Sequence, residues 1–290
     1  MDHGYSERAQ WIFRWIPFAM WLYRMYLAWE HDMRYFVFIR PVSERARGVA
    51  THVAKKHLKR GLRGVTDEAK RAQLLEAFSP KYPIGCKRII TSDDFYPTFA
   101  RPNVALETDS IQRVVAEGIV VKDGAGGERT VPLDVIVYAT GFDVVASVDS
   151  LGVTGVGGLT MKRAFELTSG PEAYLGIAAP NFPNLFMMMG PNTGLGHSSM
   201  ITMIEAQAGY TARVISRARA NGWTRVEVRQ DVCDAYNKNL QLEIAKNVWG
   251  SCYSWYTLQG VKNVVLWPFT VVAYHWRLRS VDWSAWKCAK

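Results

Sequence analysis

Cysteine is scarce: four in 290 residues (Cys86, Cys233, Cys252 and Cys288), no two of them at C-x-x-C spacing. That excludes a zinc ribbon, a vicinal redox pair and a disulfide-stapled miniprotein, and the thiols are expected to be reduced, as in a cytoplasmic protein. No uninterrupted apolar run of about 20 residues, the length a spanning helix needs, is present. The most apolar stretch, Trp11 to Trp29, is broken by Arg14, Pro17 and Arg24. The polar stretch Met1 to Gln10 is not a secretory signal. Gly-x-Ser-x-Gly, the P-loop and His-Glu-x-x-His are all missing, which removes the common hydrolase, nucleotide-triphosphatase and zinc-protease signatures and leaves no expected metal site. There is no internal repeat and no long linker.

What is present is globular. Hydrophobic residues make up 49% and charged residues 21%, enough for one large domain or two ordinary ones. Acidic residues are depleted at one end: residues 1–65 carry twelve Lys/Arg against five Asp/Glu, most of the net charge of +9. A basic quarter suits nucleic acid, anionic lipid or a phosphorylated cofactor. No helix-turn-helix, zinc-finger or RNP signature accompanies it, so nucleic acid is not expected. The Trp11–Trp29 stretch reads as a buried or half-buried helix pair, with a segment lying on a membrane surface as the alternative, since Trp, Tyr and Arg are interfacial residues.

The periodicity predicts helices over residues 15–29 and 33–60, and a third, Glu68 to Phe78, capped by Thr66-Asp67. A loop at Lys81–Gly85 precedes short strands at Lys87–Ile90 and Asn103–Leu106, then a hairpin-type pair at Ile111–Ala116 and Gly118–Val121. Val131–Tyr138 and Leu185–Met189 are continuously apolar, as suits strands buried on both faces of a parallel sheet. A helix from about His197 to Ala220, a strand at 223–228, a helix at 231–247, a strand at 263–268 and a C-terminal helix complete an α/β pattern.

Between 185 and 205 a buried strand runs into Gly190-Pro191-Asn192-Thr193-Gly194-Leu195-Gly196, with a helix expected to begin at His197 or Ser198. Glycines permit close backbone approach, and a helix start offers free N–H groups to an anion or an electron-rich carbonyl. Gly194-x-Gly196-x-x-Ser199 departs from the dinucleotide fingerprint at its last position. A lone His at a helix start is more often a cap than an acid–base group.

Four blocks in order resemble the C-terminal half of a flavin-containing monooxygenase of the Baeyer–Villiger type. They are Lys81-Tyr82-Pro83-Ile84-Gly85-Cys86-Lys87-Arg88 with Asp93–Pro97 and Arg101–Val104; Ala139-Thr140-Gly141-Phe142-Asp143; Pro183–Phe186 through Gly190–Thr193 to Gly196–Ser199; and Ser254-Trp255-Tyr256 with Trp267-Pro268. Arg8–Trp11 is similar to the segment after the second strand of that family's NADPH-binding fold. The resemblance implies an α/β, partial two-dinucleotide-binding-domain flavoprotein fold with an inserted helical lobe. Residues 1–138 would be the remainder of the NADPH-binding domain, including a helical insertion at about 11–78, and residues 139–290 the return segment of the FAD-binding domain. Both G-x-G-x-x-G fingerprints would lie in an N-terminal half that this sequence lacks, and that half is expected to be needed for tight FAD binding.

The resemblance also implies roles. Arg88 would be the catalytic arginine, a fixed cation for a flavin peroxide anion. Lys87 and Arg8 would meet the 2′-phosphate of NADPH. Gly141, Phe142 and Asp143 would mark the crossing between the dinucleotide domains. Gly190, Pro191, Asn192, Thr193, Gly194, Leu195, Gly196, His197 and Ser198 would lie against the flavin, the helix dipole stabilising its reduced form. Trp255 would line the substrate pocket. The implied reaction uses FAD, NADPH and O2 to insert oxygen into a small-molecule ketone or to oxidise a heteroatom, with a non-catalytic subunit as the alternative.

Overall fold

In the computed structural model, residues 4–40, 44–90, 92–141, 152–258 and 260–290 are described. They form two compact units. One comprises residues 53–80 and 91–144; the other comprises residues 2–52, 81–90 and 145–290. Each is taken by itself.

The first unit opens on the second half of α3 (Glu44–Gly61), followed by α4 (Glu68–Ala77) and the short α5 (Phe95–Thr98). Asp67 starts α4 as expected: its carboxylate accepts from the amides of Ala69 and Lys70 at 2.9 and 3.1 Å, supplying acceptors that the first helical turn lacks. Leu58, Leu62, Val65, Leu74 and Phe99 close a small core, and Phe78 packs edge-on against Phe95, Tyr96 and Phe99. The expected hairpin is present as β1 (Ser110–Val115) and β2 (Gly118–Lys122), joined by β3 (Glu128–Pro132) in an antiparallel sheet of order β1-β2-β3. Asp123 builds the β2–β3 turn by accepting from the Ala125 and Gly127 amides.

Beyond β3 the reading of Val131–Tyr138 as a doubly buried strand needs correction. The ladder stops at Pro132, and Val135, Val137 and Tyr138 are 75%, 83% and 76% exposed. The apolar run exists, but the described residues supply no neighbouring strands to cover it. Asn103–Leu106 and Lys87–Ile90 likewise form no ladder.

The second unit begins with a helix pair, α1 (Glu7–Trp15) and α2 (Ala19–Met33), turned at Phe18, whose φ of 63° is left-handed. The pair expected over Trp11–Trp29 is present, but the expectation of its burial needs correction: Trp11, Trp15, Trp21 and Trp29 are exposed, because the described residues place nothing over that face. A π turn at Tyr35–Ile39 follows, so the expected 33–60 helix is interrupted. The long α7 (Met200–Asn221) buries Met203, Ala206, Gln207, Tyr210, Val214 and Ala218, the one-face spacing its sequence predicts. Gly222, at φ 65°, ends it in the left-handed conformation that glycine adopts without strain. β4 (Arg225–Val228) pairs antiparallel with β7 (Trp286–Ala289), a strand beyond the expected C-terminal helix, which is α9 (Val271–Leu278). Between them α8 (Gln230–Ala245) and the two-residue strands β5 (Thr257–Leu258) and β6 (Lys262–Asn263) complete the frame, with α6 (Met161–Leu167) over a satellite core. The expected strand at 263–268 is thus reduced to its first residue. Leu185–Met189 forms no ladder strand, and Met188 and Met189 are exposed.

The expectation of four reduced thiols is also corrected. Cys86 and Cys252, 166 residues apart, are joined in a disulfide with Cα atoms 6.0 Å apart, inside the bridging range. Spacing along the chain gave no hint of this pair, because the fold creates the proximity. Cys233 is a free thiol that burial pushes up to about 12. The ground for expecting a cytoplasmic compartment, reduced thiols, no longer holds.

Candidate functional site

Within the second unit the Gly190–Ser199 loop is clamped onto residues 263–267. Asn192 N–H donates to Val264 O at 3.0 Å and Gly194 N–H to Val265 O at 2.7 Å; Trp267 N–H returns a bond to Gly194 O at 2.8 Å. Gly194 and Leu266 form the one parallel bridge described. A Cβ on Gly194 would stand 2.8 Å from Val265 O, so the glycine is required by this close approach. Asn192 is left-handed at φ 56°; its Nδ2 donates to Asn263 O at 2.8 Å, and its buried Oδ1 has no partner. Thr193 Oγ1 donates back to Gly190 O.

The helix that follows starts later than expected, at Met200, with Ser199 as its N-cap; Ser199 makes no side-chain capping bond, so the free amides of the first turn lack that acceptor. His197 is therefore neither cap nor helical residue. Its side chain is fully sealed, with Nε2 3.2 Å from Asp32 Oδ1. An ionised carboxylate only accepts, so Nε2 donates. Nδ1 is buried without a partner. Asp32 also accepts from the amides of Val271 and Val272 at 2.7 and 3.2 Å, completing the start of α9. Burial opposes the Asp32 charge, but the His197 bond and the two amides outweigh it and hold the carboxyl below the usual range.

The Lys81–Ile90 segment bears on the same frame. The Trp249 indole N–H donates to Gly85 O at 3.1 Å, and the disulfide ties Cys86 to Cys252. Gly85, at φ 88°, leaves no room for a side chain: a Cβ would meet Phe38 O at 2.2 Å. Lys87 and Arg88 are exposed, the Lys87 ammonium 4.7 Å over the Tyr82 ring. Arg88 is near enough to Tyr256 to favour its phenolate, although burial dominates and keeps that hydroxyl above its ordinary value. Trp255 is exposed and stacks tilted on Tyr256, ring centroids 4.4 Å apart; Tyr256 O in turn accepts from Val264 N–H, the residue that binds Asn192. The fold thus links Trp255 and the 190–199 loop through Tyr256 and Val264.

Other expected residues are not joined to this group. Arg8 is exposed on α1, and no described hydrogen bond, ion pair or ring contact connects it to Lys87 or Arg88. Gly141, at φ 90° with open space around it, belongs to the other unit. Phe142 and Asp143 lie outside the described residues. The sequence reading missed Asp32 and Tyr256. Asp32 has no local signal, since its partners are 165 and 239 residues away. Tyr256 stands in the Ser254-Trp255-Tyr256 block, but nothing in that local sequence marks it as the link to Val264.

A Baeyer–Villiger monooxygenase of Pseudomonas aeruginosa is 35% identical over 286 residues, covering 97% of this chain and 50% of that protein. A second, from Streptomyces coelicolor, is 35% identical over 238 residues, covering 81% of this chain and 43% of its own length. In sequence and fold the chain matches part of a Baeyer–Villiger-type flavin monooxygenase. It spans about half the length of the curated relatives it matches. The structure of OTEMO in complex with FAD and NADP matches with a TM-score of 0.73 at 26% identity, over 88% of this chain and 46% of that one. An oxidised steroid monooxygenase bound to NADP matches at 0.71 and 25%, over 88% and 47%. No family model matches the chain. Among the described residues, no helix is long and apolar enough to cross a membrane.

The residues fit one end of a flavin dinucleotide. The uncapped α7 start, at the half-open Ser198–Met200 step, offers free amide donors to a planar ring edge. No G-x-G-x-x-G occurs to seat a pyrophosphate.

Proposed function

We propose that the chain forms part of an FAD- and NADP-dependent monooxygenase and works with polypeptide equivalent to the half of its relatives that it does not span. Residues 1–138 would belong to the NADPH-binding domain and residues 139–290 to the FAD-binding domain of a two-dinucleotide fold. When bound, the flavin supplies redox chemistry: reduction by the nicotinamide and activation of O2 for transfer to a ketone or a heteroatom. The chain's own residues have narrower tasks. The Ser198–Ile201 amides hold the electron-rich ring edge, favoured by the positive end of the α7 dipole. Arg88 keeps a permanent positive charge over the reacting oxygen, since guanidinium does not deprotonate at working pH. Lys87 meets the nicotinamide dinucleotide's 2′-phosphate as a point charge, with Arg8 as a second contact. Trp255 walls the substrate side and excludes water there.

The observation that carries this reading is the linkage of Trp255 and the 190–199 loop through Tyr256 and Val264, with Arg88 two residues beyond Cys86, which the disulfide ties to Cys252. The exposed uncharged run Val135–Tyr138 supports the need for further polypeptide, since a run apolar on both faces belongs in a covered sheet. The test is a visible absorption spectrum. The purified chain is expected to be colourless and to acquire flavin bands when mixed with the N-terminal half of a relative bearing the glycine fingerprints. One flavin per chain without that half would remove the requirement for it; no flavin in either state would overturn the reading.

A further inference from the structure

The α1–α2 hairpin presents a face that the monooxygenase reading does not use. On α2 and its turn, Phe18, Trp21, Leu22, Met25, Tyr26 and Trp29 are all exposed, the last five between 52% and 59%. Their spacing of three and four puts them on one helical face. Trp11 and Trp15 make the same kind of exposed pair on α1. The opposite sides face inward, where Phe13 packs on Tyr23 at 5.0 Å between centroids. An open cleft of about 500 Å³ lies at the tip, between Arg14 and Arg24 and walled by Trp15, Pro17, Phe18 and Trp21. Phe18 is 76% exposed on a left-handed backbone, an arrangement that costs energy for a bulky side chain and gains nothing from its own fold.

We propose that this hairpin is a docking surface for anionic phospholipid, its aromatic face lying in the headgroup region and its Arg14–Arg24 cleft seating a phosphate. The charge pattern selects this occupant. Arg14 and Arg24 stand among the aromatic side chains; Arg24 meets Glu205 at 3.8 Å, both exposed, and Arg14 lies over the Trp15 ring. An exposed pair of that kind leaves the cation available. Tryptophan, tyrosine and arginine around an apolar helical stripe are what an interfacial helix carries. The exposed run Val135–Tyr138, by contrast, has no charge and β-branched residues, suited to a protein sheet. Because no described helix is long and apolar enough to cross, the hairpin would lie along the surface.

The experiment is flotation of the purified chain with vesicles of phosphatidylcholine alone and of phosphatidylcholine mixed with phosphatidylglycerol, followed by tryptophan emission. Co-flotation and a blue shift are expected with the mixed vesicles only, weakening as salt is added. The double variant Arg14→Gln, Arg24→Gln should lower the partition coefficient about 30-fold, from the loss of two cations near the surface. Trp21→Ser should weaken binding to the mixed vesicles while leaving the circular dichroism unchanged, since the side chain is solvent-facing. Absence of flotation with mixed vesicles, or flotation indifferent to the two arginines, would overturn the proposal. So would protection of these tryptophans from a soluble quencher, without lipid, when the chain is mixed with the N-terminal half of a relative, which would assign the face to a protein contact.

Discussion

His197 and Asp32 meet at 3.2 Å across 165 residues of sequence, and both side chains are buried. The same carboxylate receives the first amides of α9. One acidic group therefore serves a buried imidazole and a helix start together, and removing it strands both.

Asp32→Ala is accordingly expected to destabilise the protein by about 3–5 kcal/mol, the cost of breaking a buried pair from one side. Urea unfolding followed by circular dichroism measures it. The pH dependence has a definite sign. The folded-state value of Asp32 is depressed, so its contribution is present above the unfolded value of about 3.9 and is lost as pH falls through the folded value. The wild type should lose stability in that acid window more steeply than Asp32→Asn; parallel acid profiles would contradict the assignment.

The Cys86–Cys252 bond closes a separation of 166 residues. Chain-entropy reasoning puts the ceiling near 5 kcal/mol, with about 2–4 kcal/mol usual. Reduction, or the pair Cys86→Ser and Cys252→Ser, should lower the unfolding free energy by that amount. Mass spectrometry of protein alkylated under denaturing conditions provides the control, since only Cys233 and Cys288 should be labelled before reduction. Four labelled cysteines in the untreated protein would contradict the bond.

Arg88→Ala and Lys87→Ala should fail in different ways in an enzyme completed by the other half. Without the Arg88 cation, oxygenated product should fall about 10²–10³-fold while the flavin is still reduced. Without Lys87, the NADPH Michaelis constant should rise about 10-fold and NADH use stay nearly level, because the two cofactors differ only in the 2′-phosphate. Arg8→Ala should follow the Lys87 pattern if both read that phosphate. Stopped-flow absorbance separates reduction from oxygenation; equal losses with both cofactors would assign Lys87 and Arg8 to the fold.

Local signals were readable where local physics decides the outcome. The Asp67 cap, the 110–122 hairpin and the one-face spacing of α7 all depend on residues within a few positions, and all are present. The Gly190–Ser199 loop was legible as an irregular connection, but its clamp onto Val264 and Val265 was not, since those partners lie about seventy residues on. Nor was the start of α7 at Met200, because His197 is drawn out of the helix by Asp32. The apolar runs at 131–138 and 185–189 were read as buried strands; the pattern is real, and burial depends on neighbours that the described residues do not provide.

Fixing α2 at Asp32 has a mechanical side. Phe18 is fourteen residues from that anchor, about 21 Å at the rise of an α-helix. A pivot of about 10° at the Asp32 end therefore carries the hairpin tip through about 4 Å over that helix length. The carboxylate that orients His197 thus stands at the far end of α2 from Phe18, so a load on the exposed tip reaches the 190–199 loop by way of the Asp32–His197 hydrogen bond and the Tyr35–His197 ring contact beside it.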